Sequence, residues 1–184
     1  MNGPSILHVI PLLAMLVWAS VTDLRERKIR NWLTLTIALT GLTQSFFPLH
    51  SASPTQSILG LLAGLGLTIP LFIIGARGGG DVKLMAGVGA WIGPAPVLSI
   101  FVVAAVVSMI IVLAQAACQG RLLRLFHNTA VLGINLIHVR QVGLDHVVNT
   151  GQSAKSVDWR VPGAVPVLIA FGVLAINSYI AHGG

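Results

Sequence analysis

Residues 78–96 read GGGDVKLMAGVGAWIGPAP, and the topology of the chain turns on whether their apolar centre counts as a membrane helix. Val82 to Ile92 is short for a span, because about 20 apolar residues are needed to cross a bilayer. It ends at Gly93 and Pro94, which break a helix, and Pro96 fits only the first turn of the next one. Five clearer apolar runs surround it, at Ser5 to Thr22, Asn31 to Phe47, Ser57 to Ala76, Ala95 to Ala117 and Gly163 to Ala181. Counting Val82 to Ile92 as a short or tilted helix gives six spans; treating it as a re-entrant piece gives five.

The charges decide between these counts. All 16 charged residues fall within 23–30, 77–83 and 121–160. With six spans, these stretches are the first, third and fifth connections and share one side of the membrane, which the positive-inside rule makes cytoplasmic. Five spans would strand the last stretch on the opposite side. PLHSASPTQ (48–56) and GPAP (93–96) then lie outside, as do both termini, and neither loop carries a Lys, Arg, Asp or Glu.

Composition agrees with a lipid environment. Of 184 residues, 55% are hydrophobic and 9% charged, against about 25% charged in soluble domains, and the mean hydropathy is +0.88. The formal charge of +6 and the pI near 10.8 follow from the basic cytoplasmic connections, so nucleic acid is not an expected partner. No Lys or Arg precedes Arg25, which argues against reading the first run as a signal peptide. The lone Cys118 allows neither an internal disulfide nor a CxxC site. The fold class expected is therefore all-α, a polytopic membrane protein forming one domain over residues 1–184, with no internal repeat.

Only the fifth connection is long. Arg121, Arg124, Asn128, Asn135 and His138 recur at helical spacing with Leu122, Leu125, Phe126, Val131, Leu132 and Leu136 between them. That pattern predicts an amphipathic helix on the inner leaflet, followed by a loop from Gln141 to Arg160.

Two carboxylates carry the candidate chemistry. Asp23 stands at the cytoplasmic end of the first span, and Asp81 at the cytoplasmic start of the fourth. A bundle can bring them together, and two carboxyl groups at close range do not both ionise readily, so one stays protonated beside its charged partner. Such a pair activates water: the anion takes its proton, and the neutral acid donates to the carbonyl oxygen of the bond being cut. Helix position suggests Asp81, at a helix N-terminus, as base and Asp23, after a helix C-terminus, as acid. Each residue also has a plainer reading, Asp81 as a helix cap and Asp23 as part of the solvated cluster DLRERKIR (23–30). Glu26 sits amid arginines, while Asp145 and Asp158 lie in the long connection.

The glycines do not form a GxxxxGK[ST] phosphate loop, and six scattered histidines give no metal-ligand set. No metal or cofactor is expected. Gly78, Gly79 and Gly80, lacking Cβ atoms, are candidates to let a peptide backbone approach Asp81. Lys83 is a candidate substrate contact or an inner-leaflet anchor. A small transporter and a non-catalytic assembly component are the other classes considered; a transporter is expected to place a carboxylate near mid-span, and none lies there.

GGGDVKLMAGVGAWIG (78–93) resembles the GxGD motif of the prepilin peptidases, with Lys83 and Leu84 as in the family's GxGDxKL form. Asp23, followed by RKIRNWLT (27–34), matches that family's other aspartate, and RVPGAVPVLIAFGV (160–173) resembles its final helix. The resemblance implies an aspartyl endopeptidase of the bacterial inner membrane, with Asp23 and Asp81 catalytic at the cytoplasmic face. It also implies a prepilin or pseudopilin substrate with a basic leader, and pilus-assembly or secretion machinery as partners. The longer members carry paired CxxC motifs in an N-terminal domain and also methylate the product. This chain has neither, resembles the short tight-adherence form, and is not expected to be a methyltransferase.

Overall fold

The computed structural model describes residues 6–26, 29–46, 53–73, 77–118 and 163–182. Among them are six helices and no strand: α1 (Ile6–Glu26), α2 (Asn31–Gln44), α3 (Pro54–Ile73), α4 (Gly79–Ile92), α5 (Pro94–Cys118) and α6 (Ala164–His182). The amphipathic helix expected after residue 120 and the loop to Arg160 lie outside the described residues.

Every expected apolar run is a helix, but several ends differ. α1 runs one turn past Thr22 to Glu26, because Leu24, Arg25 and Glu26 are good helix formers and charge alone does not stop a helix. α3 starts at Pro54, with the Ser53 hydroxyl accepting the Gln56 N–H, a first-position proline behind a capping serine. Between α4 and α5 stands Gly93 at φ 85°, a conformation side chains disfavour. α2 and α4 have 14 residues each, so each rises about 21 Å, less than the ~30 Å apolar core of a bilayer.

α4 is the centre of the bundle, with Leu84, Met85, Val88 and Ala90 fully buried. Its small residues make this possible. A Cβ at Gly60 of α3 would overlap the Gly89 carbonyl, and one at Gly64 would meet the Met85 carbonyl at 2.5 Å, so α3 and α4 touch backbone to backbone along a small-xxx-small seam. On the α2 side, Gly87 lies under Ile37, and the indole N–H of Trp91 donates to the Ile37 carbonyl at 2.8 Å. α6 packs on α1, α5 and α4, and closes the bundle.

The outer surface is apolar. Trp18 of α1, Leu35 and Leu39 of α2, Leu59 and Leu62 of α3, Met109 and Ile110 of α5 and Ile176 of α6 are all exposed, a surface suited to lipid. Two segments among the described residues, Pro54–Ile73 and Pro94–Gln115, are long and apolar enough to cross a membrane.

Candidate active site

Helical periodicity turns Asp23 inward. Leu12, Leu16, Ala19, Ser20 and Asp23 form one buried stripe on α1, and Asp23 is only 6% exposed, so the carboxylate continues an apolar ridge into the bundle. It stands inside α1 rather than beyond its end. Asp81 is set the same way on α4, three and four residues before Leu84 and Met85 of the core.

Asp81 is not a helix cap. Gly78 occupies the cap position in extended conformation, φ −79° and ψ 154°, and the Asp81 N–H donates to the Gly78 carbonyl at 3.1 Å. Gly79 and Gly80 form the first turn of α4 itself. Phe72 lies 3.5 Å from where a Gly79 Cβ would be, and Ile29 3.0 Å from where a Gly80 Cβ would be. The chain between α1 and α2 thus packs over the start of α4. Gly78 alone of the three faces open space within 4 Å.

The two aspartates meet at the start of α6. The Ala164 N–H donates to Asp23 Oδ2 at 3.0 Å, and the Gly163 N–H acts on the same carboxylate. A Cβ on Gly163 would overlap the Asp81 carboxyl group, so that group rests against the Gly163 backbone. The carboxylates therefore flank one peptide unit and lie within range of each other's charge. Arg77 supplies the positive charge that acts on Asp81. Its guanidinium is anchored on α5 by a 3.0 Å bond to the Ser108 hydroxyl, which in turn donates to the Ala104 carbonyl at 2.7 Å.

This geometry removes the argument from helix position that separated the pair. Asp23 lies in the last turn of α1 and also faces the N-terminus of α6, while Asp81 lies in the first turn of α4. Both carboxylates thus face a positive helix end, so helix position alone does not separate them.

Lys83 points elsewhere. It is exposed, and its ammonium donates to Asn31 Oδ1 at 3.0 Å, tying α4 to the start of α2. Beyond the apolar run that ends at Thr22, Arg30 bonds both carboxylate oxygens of Glu26, at 2.7 and 3.2 Å. That hydrogen-bonded guanidinium holds the exposed Glu26 carboxyl below its ordinary range. An open groove along α1, lined by Val17, Trp18, Val21 and Arg25 among others, lies on the face opposite the Asp23 stripe. Among the described residues there is no His, Cys, Asp and Glu group able to hold a metal.

Gly163 and Ala164 were not among the site residues expected from sequence. Their available signal was a glycine directly before an apolar run with Pro166 in its first turn, a pattern that starts a helix and leaves its first N–H groups free.

A helical bundle with an apolar exterior and two inward carboxylates at one end makes that end the candidate acid–base site. Residues 10–113, over half of the chain, match the type IV leader peptidase family, and the chain belongs to that family. Membership makes it a protease of the leader-peptidase type. The match includes Asp23 and Asp81 and stops within α5, before Gly163. No individual characterised protein and no solved structure matches the chain at significant similarity.

Proposed function

We propose that this chain is an aspartyl endopeptidase of the bacterial inner membrane that removes the basic leader of type IV prepilins or pseudopilins, with Asp23 and Asp81 as its catalytic pair. The observation that carries the reading is the convergence of both carboxylates on the Gly163–Ala164 turn in a chain of the leader-peptidase family. The protein acts as a single six-span unit with this end of the bundle at the cytoplasmic face. The alternation of charged connections supports that orientation.

Hydrolysis follows from one proton held between two carboxyl groups. The anionic aspartate takes a proton from water as the water oxygen attacks the scissile carbonyl carbon, and the neutral aspartate gives its proton to the carbonyl oxygen. The tetrahedral diol then collapses. Its C–N bond breaks, the amine nitrogen takes the proton gained by the base, and a diol hydroxyl returns a proton to the acid. The sum is peptide plus water giving acid plus amine, with the pair regenerated.

Substrate geometry suits the position. A prepilin's apolar helix partitions into the bilayer and brings the bond at its end to the depth of the carboxylates. Cleavage needs an extended strand, since helical carbonyls are occupied by their own hydrogen bonds. The open space at Gly78, before the helical Gly79 and Gly80, is where such a strand fits against α4, with Lys83 on the same rim.

The test is co-expression with candidate prepilins, reading leader removal by gel shift. Asp23→Asn and Asp81→Asn are each expected to lower processing by at least ~100-fold, the range for losing a general acid or base. Full processing by either variant overturns the dyad.

A further inference from the structure

The first turn of α6 holds more of the site than a neighbouring helix would by packing alone. With Gly163 just before it, this turn directs backbone N–H groups at Asp23 and leaves no room for a side chain beside Asp81. We infer that Gly163 and Ala164 are positioning residues of the aspartate pair: the Ala164 N–H holds the pair in its singly ionised form, and the bare Gly163 backbone seats the Asp81 carboxyl group beside Asp23. This rests on the dyad reading above.

Each half has its own physical ground. Gly163 does not have a positive φ, so conformation does not require a glycine there. Space does, because the position of a Cβ is taken by the Asp81 carboxyl group. An added methyl must push that carboxyl away, and a displacement of about 1 Å at a reacting group lowers turnover by ~100-fold. Ala164 is the first residue of α6, where its N–H has no partner within the helix and is free to donate outward. The buried Pro166, two residues on, has no N–H, so it adds no competing donor in this turn.

The charged groups around the pair, among the described residues, come from three elements. Asp23 and Asp81 face each other from α1 and α4, and Arg77 acts on Asp81 from the chain before α4. α6 presents only backbone there, and α5 presents Ser108 to Arg77. Removing the Ala164 donor leaves Arg77, both carboxylates and the Gly163 N–H in place, so the effect of that one donor on ionisation reads separately. A hydrogen bond to an ionised group favours that form, and its loss shifts the first ionisation of the coupled pair to higher pH.

The experiment uses full-length enzyme in lipid vesicles. Its probe is a synthetic peptide with a Lys-rich leader ending in glycine and an apolar helix behind it, with kcat and KM measured across pH. Ala164→Pro deletes one N–H at the helix position where proline is best tolerated. Its expected result is an acidic limb of kcat/KM moved up by about one to two pH units, while Ala164→Gly, which keeps the N–H, retains the wild-type limb. Gly163→Ala is expected to lose kcat by ~100-fold with KM nearly unchanged. An unmoved limb in Ala164→Pro, or wild-type kcat in Gly163→Ala, overturns the inference. Should Ala164→Pro fail to fold, replacing the Gly163–Ala164 amide by an ester deletes the same N–H without a ring and is read by the same acidic limb, while Gly163→Ala, which needs no positive φ, decides the seating of Asp81. Asp23→Asn and Asp81→Asn run in the same assay separate the two levels. Active Asn variants sink the dyad itself, whereas inactive Asn variants beside fully active turn variants sink only the role of α6.

Discussion

At the scale of single residues, the position of Lys83 illustrates how a charged rim is organised. Its ammonium bonds Asn31 Oδ1 on an exposed surface, so water competes with the contact and its net worth is about 0.5–1.5 kcal/mol. Lys83→Ala and Asn31→Ala are each expected to reduce stability by that small amount. The double variant should lose little more than either single one, because both remove the same bond. Thermal unfolding of the four proteins in one detergent closes the cycle. Fully additive losses would show that the tether contributes nothing. Two residues along the chain, Asp81 is part-buried against the Gly163 backbone, where relaxation is harder and the effects argued above are correspondingly larger.

Among the elements, α4 explains why a glycine-rich helix holds the centre of the bundle. Gly60 and Gly89 meet backbone to backbone, with no flexible side chain available to yield. Gly60→Ala and Gly89→Ala are therefore expected to destabilise the protein by about 1–3 kcal/mol, the usual effect of overpacking. Gly66 lies on the same helix as Gly60 with nothing within 4 Å of its Cβ position, and Gly66→Ala should cause no loss. Melting temperatures of the three variants check this, and equal behaviour of Gly60→Ala and Gly66→Ala would rule out the seam. The same contacts show what was legible beforehand. Hydropathy and helix breakers located the six helices among the described residues, including the short α4, because apolar length and Gly93–Pro94 are local properties of the chain. The inward aspartates were legible for the same reason, each standing where an apolar run meets charge. Helix ends were less so: the hydrogen-bonded backbone of α1 continues through Leu24, Arg25 and Glu26, where hydropathy falls. The place of Gly163 in the site was illegible, since its meaning lies in a contact with Asp81, which is distant along the chain.

For the whole molecule, the contacts sort the charged side chains among the described residues to one end. The end of α1 and the start of α6 meet at Asp23, the starts of α2 and α4 at Asn31 and Lys83, and the end of α3 and the start of α4 at Phe72 and Gly79. The opposite end is formed where Gly60 and Gln56 of α3 approach Gly89 and Gly93, and no charged side chain among the described residues lies there. Described helices that alternate in this way, with their charged side chains at one end, give the proposed six-span orientation an internal reporter. α5 has 25 residues, about 37 Å of rise, so one crossing of a ~30 Å apolar core leaves its last turn in the interface. The exposed Cys118 ends that helix and is the only cysteine of the chain. In the wild-type protein, a membrane-impermeant maleimide is expected to label Cys118 in inverted membrane vesicles and not in intact spheroplasts. Ser53→Cys in a Cys118→Ser background should give the reverse pattern, since Ser53 caps α3 at the other end. Labelling of Cys118 from outside would place the aspartates on the wrong face for a cytoplasmic leader, and labelling of both positions from one side would refute the alternation itself.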